Sequence, residues 1–201
     1  MSDPIKFYFA CVSPWSYLAL DKLKAIAEKH GYEVAYKPAH VGRQWQVTST
    51  GRPLEDRPKV LQAYRLLELP RWAAWRDVPL NAEPKHFPVP FLLSSGVIIA
   101  AGQAGADMYP ITRALMRGCW VDELNINDPG VVAAIAGGVG LDGAALIAAA
   151  NSDAVTAELE ANTDESLADG AWSVPSIVVD GELFFGQDRL EMIDWRLSGA
   201  A

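Results

Sequence analysis

Sulfur is scarce in this 201-residue chain: it holds two cysteines, Cys11 and Cys119, far apart in the sequence. No Cys-x-x-Cys pair and no metal-ligand cluster can be read from them. The three histidines, His30, His40 and His86, show no helical ligand spacing, so no metal site is expected. Basic charge is also in deficit, with 17 Lys and Arg against 25 Asp and Glu and a net charge of -8. That balance excludes a nucleic-acid partner, whose phosphates demand clustered Lys and Arg, and it disfavours an anionic membrane surface. No uninterrupted apolar run is long enough to span a bilayer, and no basic segment followed by an apolar one marks a secretory signal. A soluble, cytoplasmic protein is therefore the expectation. Repeats and low-complexity tracts are missing too, although Ala and Gly dominate residues 131 to 150. What the chain has is apolar material: half of its residues are hydrophobic, enough to bury one good core with or without a small helical annex.

Residues 5 to 10, rich in aromatic β-formers, predict a short buried strand. Ser13 is placed to cap a following helix, with Pro14 at the first helical position, where its missing N–H costs nothing. Leu20, Leu23, Ile26 and Ala27 keep the apolar stripe on one face, and Gly31 supplies the C-terminal stop. The alternation over residues 32 to 37 predicts a second strand parallel to the first, which makes a right-handed βαβ unit. From about 41 to 170 the pattern turns helical. It predicts a helix over Lys59 to Trp75 interrupted by Pro70, another over 103 to 117 kinked or broken by Pro110, and starts at Asp128-Pro129, Asp142 and Asp153. Strand signals return at Ser176 to Asp180 and at Glu182 to Phe185, with Asp180-Gly181 as the turn between them, and a helix over about Gln187 to Leu197 closes the chain. The fold class is α/β, a thioredoxin-like core with an inserted all-helical domain: residues 1–40 and 171–201 form the discontinuous core and 41–170 the insertion.

Ser13-Pro14-Trp15-Ser16 occupies the strand-to-helix turn where a thioredoxin-like protein carries Cys-x-x-Cys. Two hydroxyls cannot form and resolve a mixed disulfide, so the sulfur must come from outside, and glutathione is the obvious supplier. Val174-Pro175 precedes the returning strand at the position of the cis-proline in such folds, where the preceding residue's backbone can pair with a bound peptide. At the start of the final helix, Asp188 can receive the γ-glutamyl ammonium, and free N–H groups there can take its carboxylate. Plainer roles exist for each residue. Ser13 in isolation reads as a helix cap, Val174-Pro175 as an ordinary trans loop proline, and Asp188 with Arg189 as a cap with a surface ion pair. Cys11 and Cys119 read as buried small hydrophobes, and Trp72 and Trp75 as core or interface packing.

Taken together, Phe7-Tyr8-Phe9 with Ser13-Pro14-Trp15-Ser16-Tyr17-Leu18-Ala19, Arg71-Trp72-Ala73 with Val78-Pro79-Leu80, Val174-Pro175-Ser176, and Asp180-Gly181-Glu182 through Gly186-Gln187-Asp188-Arg189-Leu190 resemble the 2-hydroxychromene-2-carboxylate isomerases. These are DsbA-like proteins related to the kappa-class glutathione transferases. The resemblance runs almost end to end. It implies glutathione as cofactor, Ser13 as the catalytic residue, and Ser13, Val174, Phe185, Gly186, Gln187 and Asp188 as the glutathione site. It implies a small aromatic substrate held by Trp15 and Trp45, with Arg57 or Lys59 meeting its carboxylate, and a homodimer. In the implied mechanism the Ser13 hydroxyl donates to the glutathione sulfur, whose thiolate adds to the substrate and leaves after bond rotation, with no net redox change. Two alternatives remain open at the level of sequence: a kappa-like transferase or peroxidase, and a cysteine-free module that binds a peptide or partner.

Overall fold

The structure, a computed structural model, describes residues 3–199. Strands β1 (Ile5–Phe9), β2 (Val34–Pro38), β3 (Ser176–Val179) and β4 (Glu182–Phe185) form one mixed sheet in the order β2-β1-β3-β4. β1 and β2 run parallel, with Phe7 opposite Tyr36, and helix α1 (Pro14–His30) joins them. β3 lies antiparallel to β1, with Tyr8 opposite Ser176, and makes a hairpin with β4. Both turn residues of that hairpin, Asp180 and Gly181, have positive φ, the conformation that matches the twist of paired strands. The strand period of two divides β1 between two environments. Ile5, Phe7 and Phe9 pack with Leu20, Leu23 and Ile26 of α1, whereas Tyr8 and Ala10 pack with Ala39, Val41, Val174 and Val178.

Seven helices lie between β2 and β3: α2 (Val41–Thr48), α3 (Lys59–Arg76), α4 (Leu92–Gln103), α5 (Met108–Trp120), α6 (Pro129–Gly138), α7 (Gly143–Ala149) and α8 (Asp153–Ala168). A 3-10 turn (Gln187–Arg189) leads into α9 (Leu190–Leu197). The larger apolar cluster runs without a break from β1 and α1 into Val97 and Ile99 of α4 and Ile111, Leu115 and Trp120 of α5. No helix among the described residues is long and apolar enough to cross a membrane.

Proline and polarity explain where the elements differ from the sequence pattern. α3 runs through Pro70, which lies on its exposed side, where water can hydrate the carbonyl that the missing N–H leaves free. Pro110 sits in the first turn of α5, which starts at Met108 with Asp107 as its cap. An N–H there has no intrahelical partner to lose. α4 has no counterpart in the periodicity, because it is buried on nearly every side and has no polar face. α8 is capped by Ser152, whose hydroxyl accepts from the Val155 N–H, so Asp153 is its first residue instead of its cap.

Candidate active site

β1 ends at Phe9, and the chain turns on a bond from the Ser13 N–H to the Ala10 carbonyl of 2.9 Å. Ser13 then caps α1: its Oγ accepts from the Ser16 N–H at 3.2 Å and its carbonyl from the Tyr17 N–H at 3.1 Å. Pro14 has no N–H to offer. The Trp15 N–H has no partner among the described residues, and no acidic side chain lies in the first turn of α1. The positive end of the helix dipole is therefore uncompensated, and the Ser13 hydroxyl, used only as an acceptor, keeps its proton free to donate.

Neither cysteine can serve beside it. Cys11 and Cys119 are both buried, and burial pushes each thiol up to about 12, so neither carries a usable thiolate near neutral pH.

The peptide bond from Val174 to Pro175 is cis, as is that from Phe87 to Pro88. The segment around Val174 is tied on both sides: Trp45 Nε1 donates to Ser173 Oγ at 3.0 Å, Ser176 Oγ to the Ser173 carbonyl at 2.8 Å, and the Gly186 N–H to the Pro175 carbonyl at 3.0 Å. The Val174 N–H and carbonyl have no hydrogen-bond partner among the described residues.

Ser13, Trp15, Trp45, Arg57, Val174 and Phe185 all line one cavity of about 760 Å³. Lys59, the first residue of α3, is exposed and does not line it. Gly186, Gln187 and Asp188 also lie outside the lining, directly after Phe185. Gln187 is buried, and both of its oxygens accept from Arg76: the backbone carbonyl from Nη2 at 2.7 Å and Oε1 from Nε at 3.1 Å. Asp188 pairs with Arg189 at 3.2 Å. Gly186 has φ of 102°, a conformation that favours glycine, and a Cβ there would push against the Asp188 carboxylate. The N–H groups of Gln187 and Asp188 have no partner among the described residues.

Other lining residues escape a reading of the sequence. Arg65 of α3 stands over the rings of Phe87 and Trp120, its Cζ 5.1 and 5.9 Å from their centroids. Arg52 and Phe91 also line the cavity. Arg57 stands 5.4 Å over Trp45 and donates Nε–H to the Arg52 carbonyl at 3.0 Å. Arg65 left one signal: Leu69 and Ala73, buried one and two turns further along α3, place it on the inward side of that helix.

The chain and its fold have counterparts. The family model described as DSBA-like thioredoxin domain matches residues 4–198. A 2-hydroxychromene-2-carboxylate isomerase of Sphingobium xenophagum is 30% identical over 201 residues, spanning 96% of this chain and 97% of that protein. A selenomethionine 2-hydroxychromene-2-carboxylate isomerase structure superposes with a TM-score of 0.83 at 24% identity, over 98% of this chain and 95% of that one. Cytosolic disulfide reductase DsbM from Pseudomonas aeruginosa, solved with GSH, superposes with a TM-score of 0.69 at 14% identity, over 97% and 99% of the two chains.

Proposed function

The chain belongs to the DSBA-like thioredoxin domain family and, within it, to the 2-hydroxychromene-2-carboxylate isomerases, and from that membership we propose that it is a glutathione-dependent isomerase of 2-hydroxychromene-2-carboxylate or a related aromatic catabolite. One observation carries the cofactor: the helix start that lines the cavity presents a hydroxyl, while both of the chain's own thiols are buried. The residues present fit glutathione. Val174 offers an unpaired N–H and carbonyl for a peptide backbone, and the turn at Gln187 and Asp188 offers free N–H groups and a carboxylate for the γ-glutamyl end. When bound, glutathione supplies a thiolate that adds to an electron-poor carbon of the substrate and leaves after rotation about the single bond so created.

Ser13 donates its hydroxyl proton to that sulfur, and the Trp15 N–H at the start of α1 adds a second donor. Both favour the charged form over the thiol, whose ordinary pKa is about 8.5. Trp15, Trp45 and Phe185 supply flat apolar walls, and Arg57 meets the substrate's carboxylate. The same proposal includes a cytoplasmic homodimer, for which α3 offers Val60, Leu61, Tyr64 and Trp75 on its exposed side.

The test follows absorbance of 2-hydroxychromene-2-carboxylate with and without glutathione, for wild type and Ser13→Ala. Turnover is expected only with glutathione. Loss of a hydrogen bond to a charged sulfur lowers kcat/KM by about ten- to a hundredfold, while calorimetric affinity for the tripeptide stays within a few-fold. Unchanged turnover removes Ser13 from the mechanism. Net consumption of glutathione converts the reading to a transferase, and failure to bind it leaves a binding module.

A further inference from the structure

The molecule carries a net charge of -8, yet the charged residues lining its cavity are Arg52, Arg57 and Arg65 against Glu55 alone. Arg65 is the most unusual of them. Its Nη2 is buried without a hydrogen-bond partner, and the carboxylate that acts on it, that of Glu83, does so by charge alone, without an ion-pair contact among the described residues. Burial, reinforced by the like charge of Arg57, pulls its pKa down to about 10, so it stays charged at neutral pH. A half-buried guanidinium with no paired carboxylate and an unsatisfied buried N–H group is costly to a fold, and such a local violation is expected where function needs it. The ring of Phe87 and that of Trp120, with centroids 4.9 Å apart, form the shelf under it. Trp120 in turn donates Nε1–H to the Cys11 carbonyl at 3.0 Å, just ahead of Ser13. The guanidinium shelf and the capping serine are thus fixed to the same end of β1.

We propose that Arg65, with Arg57 as its neighbour, is the carboxylate-binding subsite of this cavity, selecting an aromatic acid over its neutral isostere. The proposal rests on the isomerase reading above and adds Arg65 to Arg57 as a residue that recognises the substrate's acid group. A planar guanidinium matches a carboxylate with two parallel N–H donors, and a ligand carboxylate would supply the hydrogen-bonded partner that the buried Nη2 of Arg65 lacks.

The subsite itself is tested by binding, and turnover is followed only to separate it from the isomerase reading. Binding of cinnamate and of cinnamamide is measured by calorimetry on wild type, R65Q and R65K, with glutathione titrated separately. Wild type is expected to prefer cinnamate by at least about tenfold, the scale of one charge-assisted pair. R65Q is expected to lose the preference, R65K to keep part of it, and glutathione affinity to hold in both. R65Q removes a half-buried charge that makes no ion pair, so its fold is expected to persist. A wild type without preference, or a preference that survives in R65Q, overturns the subsite. A fall in glutathione affinity with cinnamate binding intact assigns Arg65 to the tripeptide and overturns it as well. Wild type that prefers cinnamate but does not isomerise the chromene sinks the isomerase reading and leaves the subsite standing; turnover without the preference does the reverse.

Discussion

Replacing a thiol by a hydroxyl at Ser13 changes what the start of α1 can do. A thiolate there would be a reactant; the hydroxyl is a donor, free because its oxygen is already the acceptor for Ser16. The sign of the resulting pH effect follows. Donors to a thiolate favour its charged form and lower the pKa, so the acid limb of kcat/KM against pH is expected below the ordinary thiol value of about 8.5. In Ser13→Ala that limb should move up toward 8.5, and a limb that does not move would separate Ser13 from the sulfur. Ser13 was legible in the sequence because a helix cap is a local pattern, a small polar residue followed by proline and an apolar stripe. The inert character of Cys11 and Cys119 was legible for the same kind of reason, since each sits in an apolar stretch. The contacts of Arg65 and Gln187 were not legible. What these residues do depends on Phe87, Trp120 and Arg76, partners that only the tertiary fold brings to them.

At the scale of elements, α3 buries Leu69 and Ala73 but leaves much of its apolar surface outside. It exposes Val60, Leu61, Tyr64, Leu67 and Trp75 and turns Arg65 and Arg76 inward. Apolar residues spread around much of this helix, so it was legible as a helix while its buried face was not. α4 is the opposite case, invisible because it lacks a polar face altogether. The inward arginine at the end of α3 braces the neighbouring turn. The Arg76 side chain is 4% exposed, lies 5.5 Å over Trp72, and holds Gln187 and Glu191 at the turn that follows Phe185. Arg76→Met keeps the volume and leaves the Gln187 carbonyl unpaired, a loss of about 1–3 kcal/mol. Urea unfolding is expected to show that loss, and calorimetry a weaker affinity for glutathione with the cinnamate preference intact. Affinity unchanged in a destabilised variant would show that the turn does not belong to the glutathione site.

Across the whole molecule, acidic residues tie elements that are remote in the chain. Glu165 of α8 reaches Lys6 of β1 at 2.9 Å and Lys37 of β2 at 2.8 Å, and Asp194 of α9 reaches Lys29 of α1 at 2.7 Å. No sequence pattern announces these pairs, because nothing local distinguishes a paired glutamate from a solvated one. The order of the strands and of most helices, by contrast, was legible, since turns, caps and strand alternation are written within a few residues of each boundary; α2 and α4 were the exceptions. The pairs give the fold a direction of pH sensitivity. Burial by itself would raise Glu165, but hydrogen bonds from Lys37 and Lys6 hold it below the ordinary carboxylate range. The hydrogen bond from Arg76 lowers Glu191, and those from Lys29 and His30 lower Asp194. A carboxyl whose folded pKa lies below its unfolded value contributes stability that is fully present above the unfolded value, about 4 for Asp and Glu, and that is lost as pH falls through the folded one. Thermal melting followed by circular dichroism is therefore expected to be insensitive to these groups from about pH 5 to 8 and to fall steeply below about pH 4. Lys6→Met together with Lys37→Met removes the partners of Glu165, so the double variant should melt lower at pH 7 and lose less on going to pH 3. An equal drop in both proteins would mean that these ion pairs play no part in acid unfolding.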